Sequence, residues 1–454
     1  MINLIKNELF KIFKKKGIYI ILTLLFAFLL LINYITKESS KDYHNGYIKL
    51  LKEEIKDYNV DNLNDEEGEL TWYIDALTQI EMYDLASNYD KKSWQYSVIN
   101  NDGYNYISAI NNNIYRYKDK KEEEISRRKY ESFKELLKGD WQAYANKELE
   151  SLKNEGAKEE IKKAELRLKY NIAYGENKLN NALTNYAYAN EEIFNAKNLT
   201  FDEEKELQNI KRNYYINKYM VENHFDEPDD ATTRGALISL PENTELFIVI
   251  AVALIASSIM SEEFNKGTIK LLLVRPYNRT KIILSKFITI ILMTIFVVII
   301  SYLMELIIGG IFFGFNSLST NVLVYNYNSN SVYEMSIFKN ILIRTLCSSP
   351  IYILLGTLAF CLSTIISNTG VCMAITLVGY IGSQILDGLV IYFKLTNFKY
   401  FVTLNWDLNQ FLYGRLYAFE GMNLTSALIT SIIYFIAMLL PTILYFNKKN
   451  IKNI

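Results

Sequence analysis

The feature that most constrains this chain is a set of six apolar runs, each close to the length that a helix needs to cross a membrane. About 20 apolar residues are enough for one helical crossing. The runs occupy residues 17–36, 243–261, 282–309, 341–366, 370–392 and 425–446. Charged residues make up 22% of the chain and are concentrated outside these runs. The sequence therefore predicts an all-α polytopic membrane protein with six transmembrane helices.

A long hydrophilic segment, residues 37–240, separates the first run from the second. Its apolar residues recur at helical spacing, as in Tyr130, Phe133 and Leu137, and turn residues separate one stripe from the next. Asp140 follows this stripe and can cap the next helix. The segment therefore predicts an α-helical domain with a thin core, inserted after the first span.

The distribution of charge predicts the orientation of the chain. The total of 49 Lys and Arg nearly balances 50 Asp and Glu, but acidic residues prevail in residues 37–240 and basic residues prevail elsewhere. This balance argues against nucleic-acid binding, which needs a basic face. The basic residues near the spans favour a topology with both termini in the cytoplasm and residues 37–240 outside the cell. A bias toward Lys, Ile, Asn and Tyr is typical of an AT-rich bacterial genome, which predicts the bacterial plasma membrane.

The ends of the chain predict membrane-surface segments. Residues 1–16 alternate apolar and Lys residues at helical spacing, which indicates an amphipathic interfacial elbow helix. A cleaved signal peptide is the competing interpretation of the run at 17–36. No small-residue cleavage site follows that run, so a retained anchor is preferred. Residues 447–454 are Lys-rich and are expected to form a cytoplasmic tail.

Two shorter segments are expected on the outer side. The outer loop at 310–340 contains two short β-prone stretches around Asn328 and Asn330, which predict a hairpin. Residues 393–423 are amphipathic and aromatic, as is typical of a segment that lies in the outer membrane interface.

The motifs of several enzyme classes are missing from the sequence. No P-loop string occurs, so the chain is not expected to bind ATP through such a loop. No zinc-protease helix and no Ser/His/Asp constellation is found, and the only His residues are His44 and His224. Cys347, Cys361 and Cys372 all lie within predicted spans. We expect a chain that is not an enzyme, with neither a metal site nor a cofactor of its own.

The charged hinge between the second and third spans, residues 262–281, has its own pattern. Glu262 and Glu263 come first, where a helix N-terminus favours acids. Lys266 follows Glu262 at the spacing of an i,i+4 ion pair. Pro276 then stops the helix, and Asn278 or Thr280 can cap the third span. The pattern predicts a short amphipathic helix on the membrane surface, although an ordinary basic loop is also compatible with it.

The hinge resembles the first cytoplasmic loop of type-2 ABC exporter permeases. The resemblance rests on Glu262 or Glu263, Gly267-Thr268, Leu271-Leu272, Pro276, Arg279 and Lys286. Asn278 and Ser285 depart from the family pattern, which commonly has Ser and Gly there. The elbow helix and the six spans are also similar to that family, and the outer segment at 393–423 resembles its re-entrant helical hairpin before the last span. Residues 37–240 are not covered, since the commonest members lack such a domain.

The resemblance implies that the hinge is a coupling helix that docks on a separate ABC ATP-binding subunit, which would hold ATP and Mg. It implies also a second permease copy or a related permease as partner. The ATPase-coupling residues that it implies are Glu262, Glu263, Gly267, Thr268, Leu272, Pro276 and Arg279.

Ionisable residues within spans are costly and often functional. Glu305, Arg344 and Asp387 are three such residues, and they are expected either to pair structurally or to line a transport path. Gly379 and Ser383 in the fifth span permit close helix approach, either to a second subunit or within the chain.

Three functions are compatible with this sequence. An ABC exporter subunit is the first, with antimicrobial peptides, lipid-like compounds or sodium as substrates, because family members with an insertion after the first span act in such pathways. A mechanotransmitting or peptide-sensing membrane subunit that passes no cargo is the second. A non-transport membrane scaffold is the third.

Overall fold

The computed structural model of the protein describes residues 1–40, 44–58, 63, 68–270 and 277–449. The predicted coupling residues Leu272 and Pro276 lie outside the described residues. The chain is mostly helical and divides into two compact units. The membrane unit comprises Met1–Ser39, Ala196–Arg212 and Pro228–Ile454, and the helical unit comprises Ser40–Asn195 and Asn213–Glu227.

The described α-helices are numbered here in chain order. They are α1 (Ile2–Phe13), α2 (Lys16–Ser39), α3 (His44–Glu54), α4 (Glu69–Ala86), α5 (Trp94–Val98), α6 (Tyr104–Asn111), α7 (Lys120–Leu137), α8 (Trp141–Glu155), α9 (Lys158–Lys169), α10 (Lys178–Tyr188), α11 (Phe201–Glu222), α12 (Thr233–Asn265), α13 (Arg279–Phe313), α14 (Ile337–Ile365), α15 (Thr369–Tyr392) and α16 (Leu424–Lys448).

Six of these helices are long and apolar enough to cross a membrane: α2, α12, α13, α14, α15 and α16. They coincide with the six apolar runs of the sequence, so the prediction of six spanning helices in a mostly helical chain is confirmed at the level of helix length and composition. Among them α12 has the most buried apolar window (72%), whereas those of α15 and α16 are only 22% buried. Helix α12 is therefore the centre of the membrane unit.

Small residues allow helices to pack closely around α12. Ala251, Ala253 and Ala256 are fully buried along it. On α14, a Cβ added to Gly356 would lie 3.0 Å from Val252 Cγ1. Small residues at such contacts are typical of helix packing in membranes.

The second span is longer than the sequence predicted. A span of 243–261 was expected, followed by a separate coupling helix that begins with Glu262 and Glu263. In the structure both residues belong to the last turn of α12, which ends at Asn265. The reason is that no Gly or Pro occurs from residue 243 up to Gly267, which has a φ of +68°.

The two segments that are expected on the outer side are partly as predicted. Strands β1 (Val322–Asn326) and β2 (Ser331–Met335) pair antiparallel, which confirms the hairpin. Residues 393–423, expected to resemble a helical hairpin, form short 3₁₀ turns instead. The buried Asn405 side chain donates to the carbonyl oxygens of Lys399 and Phe401, and Gly414 has a φ of +87°, so the chain turns too often for an α-helix.

Two apolar clusters occur among the described residues of the helical unit. The larger surrounds Phe133, Leu137 and Tyr144, and the smaller includes Ile48 and Ile80. The predicted stripe on α7 is confirmed, because Phe133 and Leu137 are each 1% exposed.

Within the predicted 37–240 domain, the helix cap at Asp140 is present but the domain bounds differ. Asp140 caps α8 by accepting from the backbone N–H of Ala143 at 2.7 Å, as predicted. The helical unit does not coincide with residues 37–240, because Ala196–Arg212 and the chain from Pro228 onward group with the membrane unit. Helix α12 starts at Thr233, before the expected start of the second span.

Candidate functional site

Four alternating charges meet where α1, the end of α12 and the start of α13 come together. Lys286 Nζ lies 2.8 Å from Glu8 Oε2 and 2.9 Å from Glu263 Oε1. Lys11 Nζ lies 2.9 Å from Glu8 Oε1 and 2.8 Å from Glu263 Oε1. We call Glu8, Lys11, Glu263 and Lys286 the elbow charge cluster.

The sequence places these charges locally. Leu4, Glu8 and Ile12 follow one another at a spacing of four residues, so all three lie on the buried face of α1. Lys286 is seven residues inside α13 and is only 1% exposed. Its ammonium also donates to the Ile259 carbonyl oxygen at 3.2 Å, so three acceptors surround it.

The elbow charge cluster is electrically balanced, with two carboxylates and two ammonium groups. Burial by itself would raise the pKa of Glu8, but the charges of Lys286 and Lys11 outweigh it and hold the pKa below its usual value. Burial likewise opposes the charged form of Lys11, but Glu263 and Glu8 raise the pKa of its ammonium. Glu8 and Lys11 are therefore both charged at neutral pH. Buried charges need such mutual pairing, since either one alone would be strongly destabilising.

A second set of contacts continues toward the hinge. Lys15 Nζ lies 2.6 Å from Glu262 Oε1 and donates to Ser258 Oγ at 2.9 Å. Glu262 also pairs with Lys266 at 3.1 Å, which confirms the predicted i,i+4 pair. Together with Glu8, Lys11 and Glu263, these residues line a cavity of about 390 Å³ that extends to Thr268.

The two ends of the hinge are built differently. At the first end, Gly267 has a left-handed backbone, and Thr268 Oγ1 donates to the Glu263 carbonyl oxygen at 3.5 Å. Two residues after Gly267, Ile269 is fully buried, so this end is anchored in the bundle.

At the second end, Asn278 caps α13 by accepting from the Thr280 backbone N–H, which is one of the two caps that were predicted. Arg279 donates to the carbonyl oxygens of Asn447 and Lys449 at 3.1 and 3.0 Å. Arg279 therefore binds the end of α16. Both ends of the hinge are thus held by defined contacts within the membrane unit.

The three ionisable residues predicted within spans do not pair with one another. Glu305 accepts from Asn33 Nδ2 at 2.8 Å, and Asp387 accepts from the Thr403 hydroxyl. The Arg344 guanidinium donates to Glu242 Oε1 and to the Ile238 carbonyl oxygen, both at 3.4 Å.

The predicted carboxylate–guanidinium cluster is therefore not formed. Each of the three groups lies on a different span and has a hydrogen-bond partner of its own. Glu305 is only 2% exposed, and its second oxygen has no hydrogen-bond partner among the described residues.

The two small residues predicted on the fifth span have different surroundings. Ser383 is buried and donates to the Tyr380 carbonyl oxygen. A Cβ added to Gly379 would meet no atom within 4 Å, so Gly379 does not serve packing within the chain. The neighbouring Val378 and Ile375 are 70% and 44% exposed. This face of α15 is free for lipid or for another protein.

Sequence reasoning missed Glu8 and the partners of Lys286. The signal that could have identified Glu8 is an acidic residue on the apolar face of an amphipathic helix. Among the residues that the structure describes, no group of three or more His, Cys, Asp or Glu side chains could hold a metal ion.

The fold defines a multi-pass membrane protein whose spans are joined by a charged hinge. The chain belongs to the family described as "Protein of unknown function (DUF2705)", whose model matches residues 210–452. That match includes the hinge and the spans from α12 to α16.

Two proteins of Bacillus subtilis (strain 168) are similar to this chain. "Uncharacterized protein YhcI" is 28% identical over 243 residues, which cover 54% of this chain and 77% of the relative. "Uncharacterized membrane protein YdbK" is 27% identical over 189 residues, which cover 41% and 70%. No solved structure matches the chain.

Proposed function

We propose that this chain is the membrane subunit of an ATP-driven ABC exporter, in which a separate ATP-binding subunit docks on the hinge at residues 262–281. On this proposal the chain lies in the bacterial plasma membrane with the hinge in the cytoplasm and the helical unit outside. A second copy or a related permease completes the transporter.

The elbow charge cluster is the observation that carries this proposal. A hinge that transmits force must be fastened to the helices that it moves. Glu263 and Lys286 fasten the two helices that flank the hinge to each other, at 2.9 Å, and Glu8 and Lys11 fasten both to α1. A push on the hinge would therefore move α1, α12 and α13 together.

The mechanism follows from this linkage. ATP binding in the partner subunits would bring them together and displace the hinge. Because α12 is the most buried of the spans, its movement would disturb the packing of the whole membrane unit. Alternation between two such arrangements would open a path to one side of the membrane and then to the other.

The proposal is tested by purifying the chain together with the ATP-binding subunit encoded beside its gene. We expect a stable complex with ATPase activity and, in inverted vesicles, ATP-dependent accumulation of an antimicrobial peptide, a lipid-like compound or sodium. Stimulated ATPase activity without accumulation would favour a mechanotransmitting subunit. If no ATPase copurifies and none is encoded nearby, the proposal is wrong and a scaffold is favoured.

A further inference from the structure

The helical unit contains a polar cavity that has no part in the proposed coupling. Its volume is about 420 Å³, within the ~300–1,000 Å³ that is usual for small-molecule sites. The walls come from α8, α9, α10 and the turn that precedes α6. Its charged lining residues are Asp102, Glu148, Lys163, Arg167 and Glu176, and Glu176 accepts from Asn100 Nδ2 at 2.7 Å.

Two carboxyl groups form the acidic part of the cavity. Tyr144 donates its hydroxyl to Asp102 Oδ2 at 2.7 Å, and Tyr174 donates to Glu148 Oε2. Burial raises the pKa of Asp102 despite this hydrogen bond. Burial also raises the pKa of Glu148, and the nearby charge of Asp102 adds to the effect. The two groups therefore repel each other when both are ionised, and a cation between them would relieve that repulsion.

Two basic groups form the other part. Arg167 is only 4% exposed, and its guanidinium carbon lies 3.8 Å from the centre of the Tyr174 ring. One nitrogen donates to the Ile172 carbonyl oxygen at 3.1 Å and to Asn180 Oδ1 at 2.9 Å, but Nε has no partner among the described residues. Lys163 adds a second positive charge, an ammonium that is bonded to Glu160 at 2.9 Å. The charges of Glu148 and Asp102 act on Arg167 from nearby, but none of the described ion pairs joins it directly to a carboxylate, so a bound carboxylate would be its first direct anionic partner.

The backbone at Asp102 is also unusual. Residues Ile99–Gly103 form a π-helical turn between α5 and α6. Such turns insert an extra residue into a helix and occur frequently at functional sites. Here the turn carries both Asp102 and Asn101 into the cavity wall.

We propose that this cavity binds a small zwitterion with a free ammonium and a free carboxylate, such as a short peptide. The ammonium would lie between Asp102 and Glu148, and the carboxylate would face Arg167 and Lys163. A zwitterion offers a partner to charges of both signs in the cavity, whereas an uncharged ligand offers none.

The test uses the full chain in detergent micelles and isothermal titration calorimetry with L-alanyl-L-alanine. We expect binding of the free dipeptide and at least a tenfold loss of affinity for its N-acetylated and its C-amidated derivatives. Equal binding of either blocked derivative would overturn the proposal. So would the absence of binding to the free dipeptide at millimolar concentration.

Variants on one helix provide the matched control. Glu148→Gln retains the size of the side chain and an acceptor for Tyr174 but removes the charge. Glu150→Gln removes a charge from an exposed position two residues away, outside the cavity. We expect at least a tenfold loss for Glu148→Gln and no change for Glu150→Gln, with both variants melting at the same temperature. Unchanged affinity in Glu148→Gln would contradict the proposed ammonium site.

Discussion

Substitution of Lys286 by Met tests whether the elbow charge cluster holds the hinge-flanking helices together. Lys286 is 1% exposed and is bonded to Glu8 and Glu263. Without it, the two buried carboxylates share the single ammonium of Lys11, whose side chain is 43% exposed. Removing one partner of a buried ion pair costs about 3–5 kcal/mol. We expect Lys286→Met to lower the free energy of unfolding by about this amount.

The assay is the thermal stability of the purified protein, measured as the fraction that stays monodisperse in size-exclusion chromatography after heating. A loss of this size corresponds to a Tm that is lower by on the order of 10 °C. Lys281→Met is the matched control, since Lys281 lies on the same helix and is exposed. The control should melt at the wild-type temperature.

A double variant separates charge imbalance from lost packing. In Lys286→Met with Glu8→Met, the remaining Lys11 and Glu263 are still paired at 2.8 Å, so charge balance is restored. Replacement of a whole buried pair by apolar residues is often neutral. The double variant should therefore recover most of the lost stability. A single variant as stable as Lys281→Met, or a double variant worse than the single one, would refute this reasoning.

Three further predictions follow from the structure. Gly267→Val should weaken ATPase coupling, because a β-branched residue disfavours the φ of +68° by about 1–2 kcal/mol. Gly267→Asn is the control and should be tolerated. Equal coupling in both variants would exclude a backbone effect. Gly379→Cys should form a disulfide between two copies under mild oxidation in the membrane, since its surroundings within the chain are open; a purely monomeric product would indicate that this face meets lipid. Arg344→Ala should reduce transport or expression more than Lys399→Ala, because Arg344 links α14 to Glu242 on α12; equal and negligible effects, measured by vesicle transport and yield, would remove Arg344 from the proposed path.

The sequence predicted the features that depend on local chemistry. Span length follows from consecutive apolar residues, and the six helices match the six runs. Capping by Asp140 and the pair between Glu262 and Lys266 follow from spacings of three and four residues. The β-hairpin around Asn328–Asn330 follows from turn residues between β-prone stretches.

The features that the sequence did not predict depend on tertiary contact. Glu8 and Lys286 are separated by 278 positions along the chain, so only the folded bundle brings them together. The same holds for Arg344, which was expected to meet Glu305 or Asp387 but binds Glu242. An ionisable residue in a span needs a partner, but the sequence of the chain does not specify which residue that partner is.

The end of α12 was not predicted from the sequence, for a different reason. Acidic residues at 262 and 263 favour a helix start, and they are equally compatible with continuation of an existing helix. In the structure their partners Lys15 and Lys11 stabilise the last turn of α12. Continuation of α12 is thus favoured by Lys11 of α1 and by Lys15, which lie more than 200 residues away in the sequence.

The proposed exporter function depends most on contact between the hinge and a separate ATP-binding subunit. The most direct measurement is disulfide crosslinking from Thr268→Cys to cysteines introduced into that subunit, in membranes that contain the assembled complex. Asn330→Cys, in the exposed turn of the β-hairpin, is the control. We expect a crosslink from position 268 whose yield changes with MgATP, and none from position 330. A crosslink from position 330 alone, or none from either position in an assembled complex, would contradict it.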